Sequence, residues 1–99
     1  MSNYRELVME DLRLVVLLLL KESQNYELNS SVLQLAAQEY GHAVSSDTLH
    51  SELHWLAEQG LVGVRQMASI YVATLTARGL DVARGVSKVP GVKRPGPES

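Results

Sequence analysis

The sequence has no cysteine among its 99 residues. That excludes a disulfide framework, a thiolate metal site and a cysteine nucleophile, and it suits an intracellular setting. A membrane span is missing too, because the longest apolar run, residues 14–20, falls well short of the roughly 20 residues a bilayer requires. That run does not read as a secretory signal, since Glu6, Glu10 and Asp11 precede it and no small-residue cleavage site follows. A soluble cytoplasmic protein without membrane contact is expected. Charge of one sign is also scarce: nine basic and eleven acidic residues leave a formal charge of −2. Affinity for nucleic acid therefore cannot come from an overall field and must be local. Glycine-rich phosphate loops, nucleophile elbows and paired-acid motifs are absent as well, so neither an enzyme nor a cofactor is expected.

What is present is ordinary globular composition, 45% apolar and 20% charged, enough for one domain. A first helix is expected over residues 8–23, with Leu12, Leu14, Val15, Val16, Leu17, Leu18, Leu19 and Leu20 placing apolar groups on every side. A surface helix needs only a stripe, so this one is expected to pack partly on a second copy of the chain. Leu12, Val15, Val16 and Leu19 are the candidate homodimer contacts. Leu28, followed by Asn29 or Ser30, reads as a hydrophobic staple and N-cap for a second helix with Val32, Leu33, Leu35, Ala36 and Ala37 on its buried side and Gly41 as its stop. Ser45 caps a third helix, in which Asp47 suits the first turn, Leu49, Leu53 and Leu56 face the core, and Gly60 closes the element. The β-favouring runs 61–66 and 70–75, separated by Met67, Ala68 and Ser69, predict an antiparallel hairpin. Thr76 then caps a fourth helix carrying Leu80, Val82 and Ala83 and broken at Gly85. From Ser87 onward, Pro90, Pro95 and Pro97 with Gly91 and Gly96 predict a flexible tail over residues 87–99, leaving residues 1–86 as the folded domain.

This order gives a mainly α fold with a small β-hairpin, the plan of a winged helix-turn-helix. The stretch Leu53-His54-Trp55-Leu56-Ala57-Glu58-Gln59-Gly60-Leu61-Val62, the hairpin, and then Leu75-Thr76-Ala77-Arg78-Gly79-Leu80 resemble bacterial winged-helix regulators of the ArsR, MarR and PadR groups. A nearer resemblance is to small winged-helix proteins of Mu-like phages and prophages. It is carried by Arg5-Glu6-Leu7-Val8-Met9-Glu10-Asp11, by residues 55–62, by residues 73–83, and by Val89-Pro90-Gly91-Val92-Lys93-Arg94-Pro95. The resemblance implies a phage-encoded protein associated with DNA, expected as a homodimeric regulator of transcription. The metal sensing of true ArsR repressors does not carry over, because it relies on cysteines.

In a DNA-reading winged helix the third helix enters the major groove. Its exposed side chains here are Ser46, Asp47, Thr48, His50, Ser51 and His54, and residues 42–60 contain no Lys or Arg. Phosphate attraction from this helix is weak or repulsive, although Ser, Thr and His still bond bases and phosphates. The charge divides unevenly: residues 1–60 carry −6 and residues 61–99 carry +4. Arg65 near the wing, with Lys88, Lys93 and Arg94 in the tail, are therefore the candidate phosphate contacts, unless the tail charges serve only solvation. The rival reading is a protein-binding adaptor, for a phage or host partner, that uses the acidic third helix. His50 and His54, one turn apart, form a metal half-site that His42 or Glu58 would have to complete, and the solvent-facing pair is favoured. Histidine's reference pKa of about 6.5 makes the helix charge sensitive to mild acid. Trp55 is expected between the third helix and the wing, and Met67 at the wing tip.

Overall fold

The first helix starts earlier than the apolar pattern predicts. In the computed structural model, which describes residues 3–96, α1 spans Tyr4–Lys21. Asn3 and Glu6 begin it with a capping box, the Asn3 side chain accepting from the Glu6 N–H at 2.8 Å and the Glu6 carboxylate accepting from the Asn3 N–H at 3.1 Å. A 3-10 turn at Gln24–Tyr26 leads into a short strand, β1 (Glu27–Asn29). Asn29 then caps α2 (Ser30–Gln38), and Ser45 caps α3 (Ser46–Glu58). Strands β2 (Val62–Met67) and β3 (Ile70–Leu75) form the expected hairpin, and Thr76 caps α4 (Ala77–Ala83).

The hairpin is part of a larger sheet. β1 pairs antiparallel with the free edge of β3, giving the order β1-β3-β2, with Leu28 and Val64 opposite Ala73 from its two sides. Ser30 prolongs the β1 pairing, its hydroxyl oxygen accepting from the Tyr71 N–H at 3.0 Å. The fold is thus mixed α/β, four helices with a three-stranded antiparallel sheet, an arrangement compatible with a winged-helix plan. Its core joins Leu12, Val16, Leu17 and Leu20 of α1 to Leu33, Leu49, Leu53, Leu56 and Leu61. α4 lies so close to this core that a Cβ at Gly79 would overlap the Leu61 carbonyl oxygen. Only glycine fits there.

Two apolar patterns resolve differently from expectation. On α2 only Leu33 and Ala37 are buried apolar residues. Val32 and Leu35 are 42% and 67% exposed, because neighbouring helix positions diverge by about 100° and one helix face meets the core. On α1, Leu12, Val15 and Val16 are buried within the chain itself and Leu19 is partly buried against the same core. α1 packs on α2, β3 and α4 of its own chain. Leu12, Val15 and Val16 are thus taken up by the chain's own packing, and Leu18 and Leu19 are partly buried.

The segment expected as a flexible tail is folded as far as it is described, and Pro97 and the residues after it lie outside the described region. Val89-Pro90-Gly91-Val92 is a type II turn, with Pro at the second position, Gly91 at φ +96° in the third, and the Val92 N–H donating to the Val89 carbonyl at 3.1 Å. Val89 and Val92 are buried, at 5% and 8% exposure. The Gly91 carbonyl accepts from Arg13 Nη1 at 2.9 Å, and the Lys93 N–H donates to the Glu10 carbonyl at 3.2 Å. Pro95 returns to Gly85, where an added Cβ would stand 3.2 Å from the Pro95 ring. Residues 85–95 therefore form a closed Ω-loop. It lacks helix and strand, as its prolines and glycines predict, yet two valines anchor it.

Candidate nucleic-acid interface

The joint between α2 and α3 is held by side chains from three directions. Gln34 donates from Nε2 to the Val44 carbonyl at 2.9 Å and accepts the Ser46 hydroxyl at 3.0 Å, tying α2 to the start of α3. Ser45 accepts from the Thr48 N–H at 3.1 Å, and its hydroxyl donates to the Thr48 hydroxyl at 3.0 Å. The hydroxyls of Ser46 and Thr48, both candidate DNA contacts, are thus engaged in building the helix start. His42, buried in the joint, pairs through Nε2 with Asp11 Oδ2 of α1 at 2.7 Å. The other Asp11 oxygen takes Lys93 Nζ of the Ω-loop at 3.1 Å. Burial alone would raise the Asp11 carboxyl, but the bonds from His42 and Lys93 outweigh it and hold the group below its ordinary value. One carboxylate thereby links the joint, α1 and the loop.

The outward line of α3 is Asp47, Ser51, His54 and Glu58, all exposed. This stripe is the part of α3 that would enter a duplex groove. Neither Asp47 nor Glu58 has an ion-pair partner among the described residues. Beside the stripe an open groove of about 560 Å3 runs between α3 and Tyr71 of β3. His50 and His54 meet the Tyr71 ring edge-on, with centroids at 4.4 and 5.2 Å. His54 Nδ1 donates to the His50 carbonyl at 2.8 Å, which leaves Nε2 as its ring nitrogen free for a ligand. His42 is committed to Asp11, and no group of three metal-ligating side chains occurs among the described residues.

The opposite flank of α3 faces α1 and the Ω-loop. The Arg13 guanidinium lies over the Trp55 ring, 4.0 Å from its centroid, and pairs with Glu52 at 2.5 Å, and Gly91 stands against the ring's Cζ2 and Cη2 atoms. Trp55 thus packs against α1 and the loop, and it also lines the groove that Tyr71 of the hairpin borders. Arg65 on β2 bonds Glu27 at 2.9 Å, and Thr74 donates to the same carboxylate oxygen at 2.8 Å. Those two bonds, the Thr74 one first, hold Glu27 below its ordinary value. Two of the four expected phosphate contacts, Arg65 and Lys93, therefore already neutralise carboxylates of their own chain. Lys88 and Arg94 remain exposed without an ion pair among the described residues, as does Arg84 at the end of α4, which was not among the expected phosphate contacts.

The sequence aligns over 94 residues with gp26 of Escherichia phage Mu, an uncharacterized protein, at 48% identity, covering 95% of this chain and 97% of that one. The chain belongs to the family of this phage Mu protein. An uncharacterized protein of Haemophilus influenzae is 36% identical over 98 residues, covering 98% of this chain and 95% of its own. No family profile matches the chain. Among the described residues no helix is long and apolar enough to cross a membrane.

Proposed function

We propose that this phage protein is a winged-helix DNA-binding protein, with transcriptional regulation as the role its resemblance implies. One observation carries the reading: α3 stands on a joint locked by Gln34 and His42, with its outward stripe uncovered and the β2–β3 hairpin beside it. In this reading Ser51 and His54 contact base edges from the major groove. Asp47 and Glu58 accept from cytosine amino groups, the base contact that suits a carboxylate. Affinity has to come from cations outside α3, since the helix has none.

The test is fluorescence anisotropy of the purified chain on duplex DNA at about 50 and 200 mM salt, where phosphate contacts show as a steep loss of affinity. Binding that falls with salt, and that changes its sequence preference in Ser51→Ala and His54→Ala, supports the reading. No binding at the lower salt refutes it. A second reading, the protein-binding adaptor, is favoured by the two unpaired carboxylates in the outward stripe. Asp47→Asn with Glu58→Gln separates the two: it tightens non-specific duplex binding under the first reading and weakens capture of a basic protein partner under the second.

A further inference from the structure

Charge is sorted by region in this fold. α3 carries Asp47, Glu52 and Glu58 and no cation, whereas residues 84–95 carry Arg84, Lys88, Lys93 and Arg94 and no acid. Lys93 is taken by Asp11. The other three are exposed, and closure of the Ω-loop draws two of them together, because Arg84 and Arg94 are the chain neighbours of Gly85 and Pro95, the pair in contact. Lys88 rises from the loop's outgoing limb between the α4 end and the buried Val89. The loop is anchored by Val89, Val92, Gly91 on Trp55 and Lys93 on Asp11, so the three charges are presented on a fixed surface. Arg65, in contrast, meets a ligand only by competing with Glu27.

The geometry points to the closed Ω-loop, through Arg84, Lys88 and Arg94, as the element that grips the phosphate backbone of duplex DNA. The inference rests on the DNA-binding reading and gives it the affinity that α3 lacks. Each phosphate neutralised releases counterions, so each of the three cations steepens the dependence of log affinity on log salt by about 0.9. The three together make binding fall roughly 40-fold further between about 50 and 200 mM salt than it does without them.

The experiment compares wild type with the triple variant Arg84→Gln, Lys88→Gln, Arg94→Gln on a random-sequence duplex across that salt range. Trp55 emission serves as the check that the loop stays docked. Loss of about 2.7 from the salt slope in the triple variant supports the assignment. Arg84→Lys with Arg94→Lys, which keeps the charge, should leave the slope in place, and Arg65→Gln should change it by less than one cation's share. If wild type binds duplex and the triple variant binds with the same slope, the loop assignment falls while the DNA reading stands. If wild type binds no duplex at low salt, both fall. Should the triple variant undock the loop, the three single substitutions decide, each expected to remove about one cation's share of the slope and overturning the assignment if none does.

Discussion

Replacing Gly91 by alanine tests the packing of the Ω-loop most directly. The residue holds φ at +96°, a left-handed conformation that costs an L side chain about 1–2 kcal/mol. The new Cβ would also lie 2.8 Å from Cζ2 and Cη2 of Trp55 and 3.2 Å from Arg13 Nη1, and overpacking of this kind costs roughly 1–3 kcal/mol. The loop has one escape, which is to leave Trp55 and give up the burial of Val89 and Val92, each worth about 1.5–3 kcal/mol. The smaller of the two losses decides, so Gly91→Ala costs about 2–5 kcal/mol, and at about 4–8 °C per kcal/mol for a domain of this size the midpoint falls by roughly 8–40 °C. Thermal melting by circular dichroism reads that loss. Emission from Trp55, the one tryptophan, reads the undocking as a red shift. Gly63→Ala is the control, since nothing lies within 4 Å of its added Cβ and its φ is not left-handed. A Gly91→Ala protein that melts within about 3 °C of wild type with unshifted emission would show that the loop does not rest on Trp55, and the argument would be wrong.

The remaining predictions concern α1 and its charges. Leu12→Ala should cost about 2–5 kcal/mol as a core cavity, with a melting midpoint independent of protein concentration; a midpoint that rises with concentration would return Leu12 to a subunit interface. Arg13→Ala breaks a largely buried pair with Glu52 and its bond to the loop, so denaturant titration should show a loss of about 3–5 kcal/mol with a red-shifted Trp55. Asp11 and Glu27 ionise at lower pH folded than unfolded, so their stabilisation is complete above the ordinary carboxylate values of 3.8 and 4.5 and disappears as pH falls through the lowered ones. Acid titration of stability should therefore be shallower in Asp11→Asn and in Glu27→Gln than in wild type, and an unchanged slope would contradict these pairings.

Much of the fold is legible from local chemistry. Caps at Asn29, Ser45 and Thr76 mark three helix starts, and the 70–75 run shows a strand. The start of α1 was equally legible in Asn3 and Glu6, three apart, but the apolar run drew the boundary inward. β1 was not legible: three residues show no period, and its role depends on an unpaired edge of β3 far along the chain. The Ω-loop was hidden by scale. Over thirteen residues its composition reads as disorder, whereas the four-residue unit Val89-Pro90-Gly91-Val92 is a turn with an apolar anchor on each side. On the candidate site, the stripe Asp47, Ser51, His54 and Glu58 follows from helical spacing, but the fates of Arg65 and Lys93 do not. Their partners Glu27 and Asp11 are 38 and 82 residues away.

The seating of residues 89–93 on residues 10–13 also bears on how the protein is made. A chain emerging from the ribosome presents α1 before the loop that covers it, so helix pairing, the sheet and the pairs of Arg13 with Glu52 and Asp11 with His42 can form while the Gly91 and Lys93 contacts of α1 are still missing. Until Val92 arrives, that flank exposes apolar surface and one Asp11 oxygen without its lysine, open to whatever else is nearby. Completion of the fold is thus timed by the late-synthesised loop, and a stall or a cut before it leaves a nascent molecule whose helices are in place and whose side is unsealed.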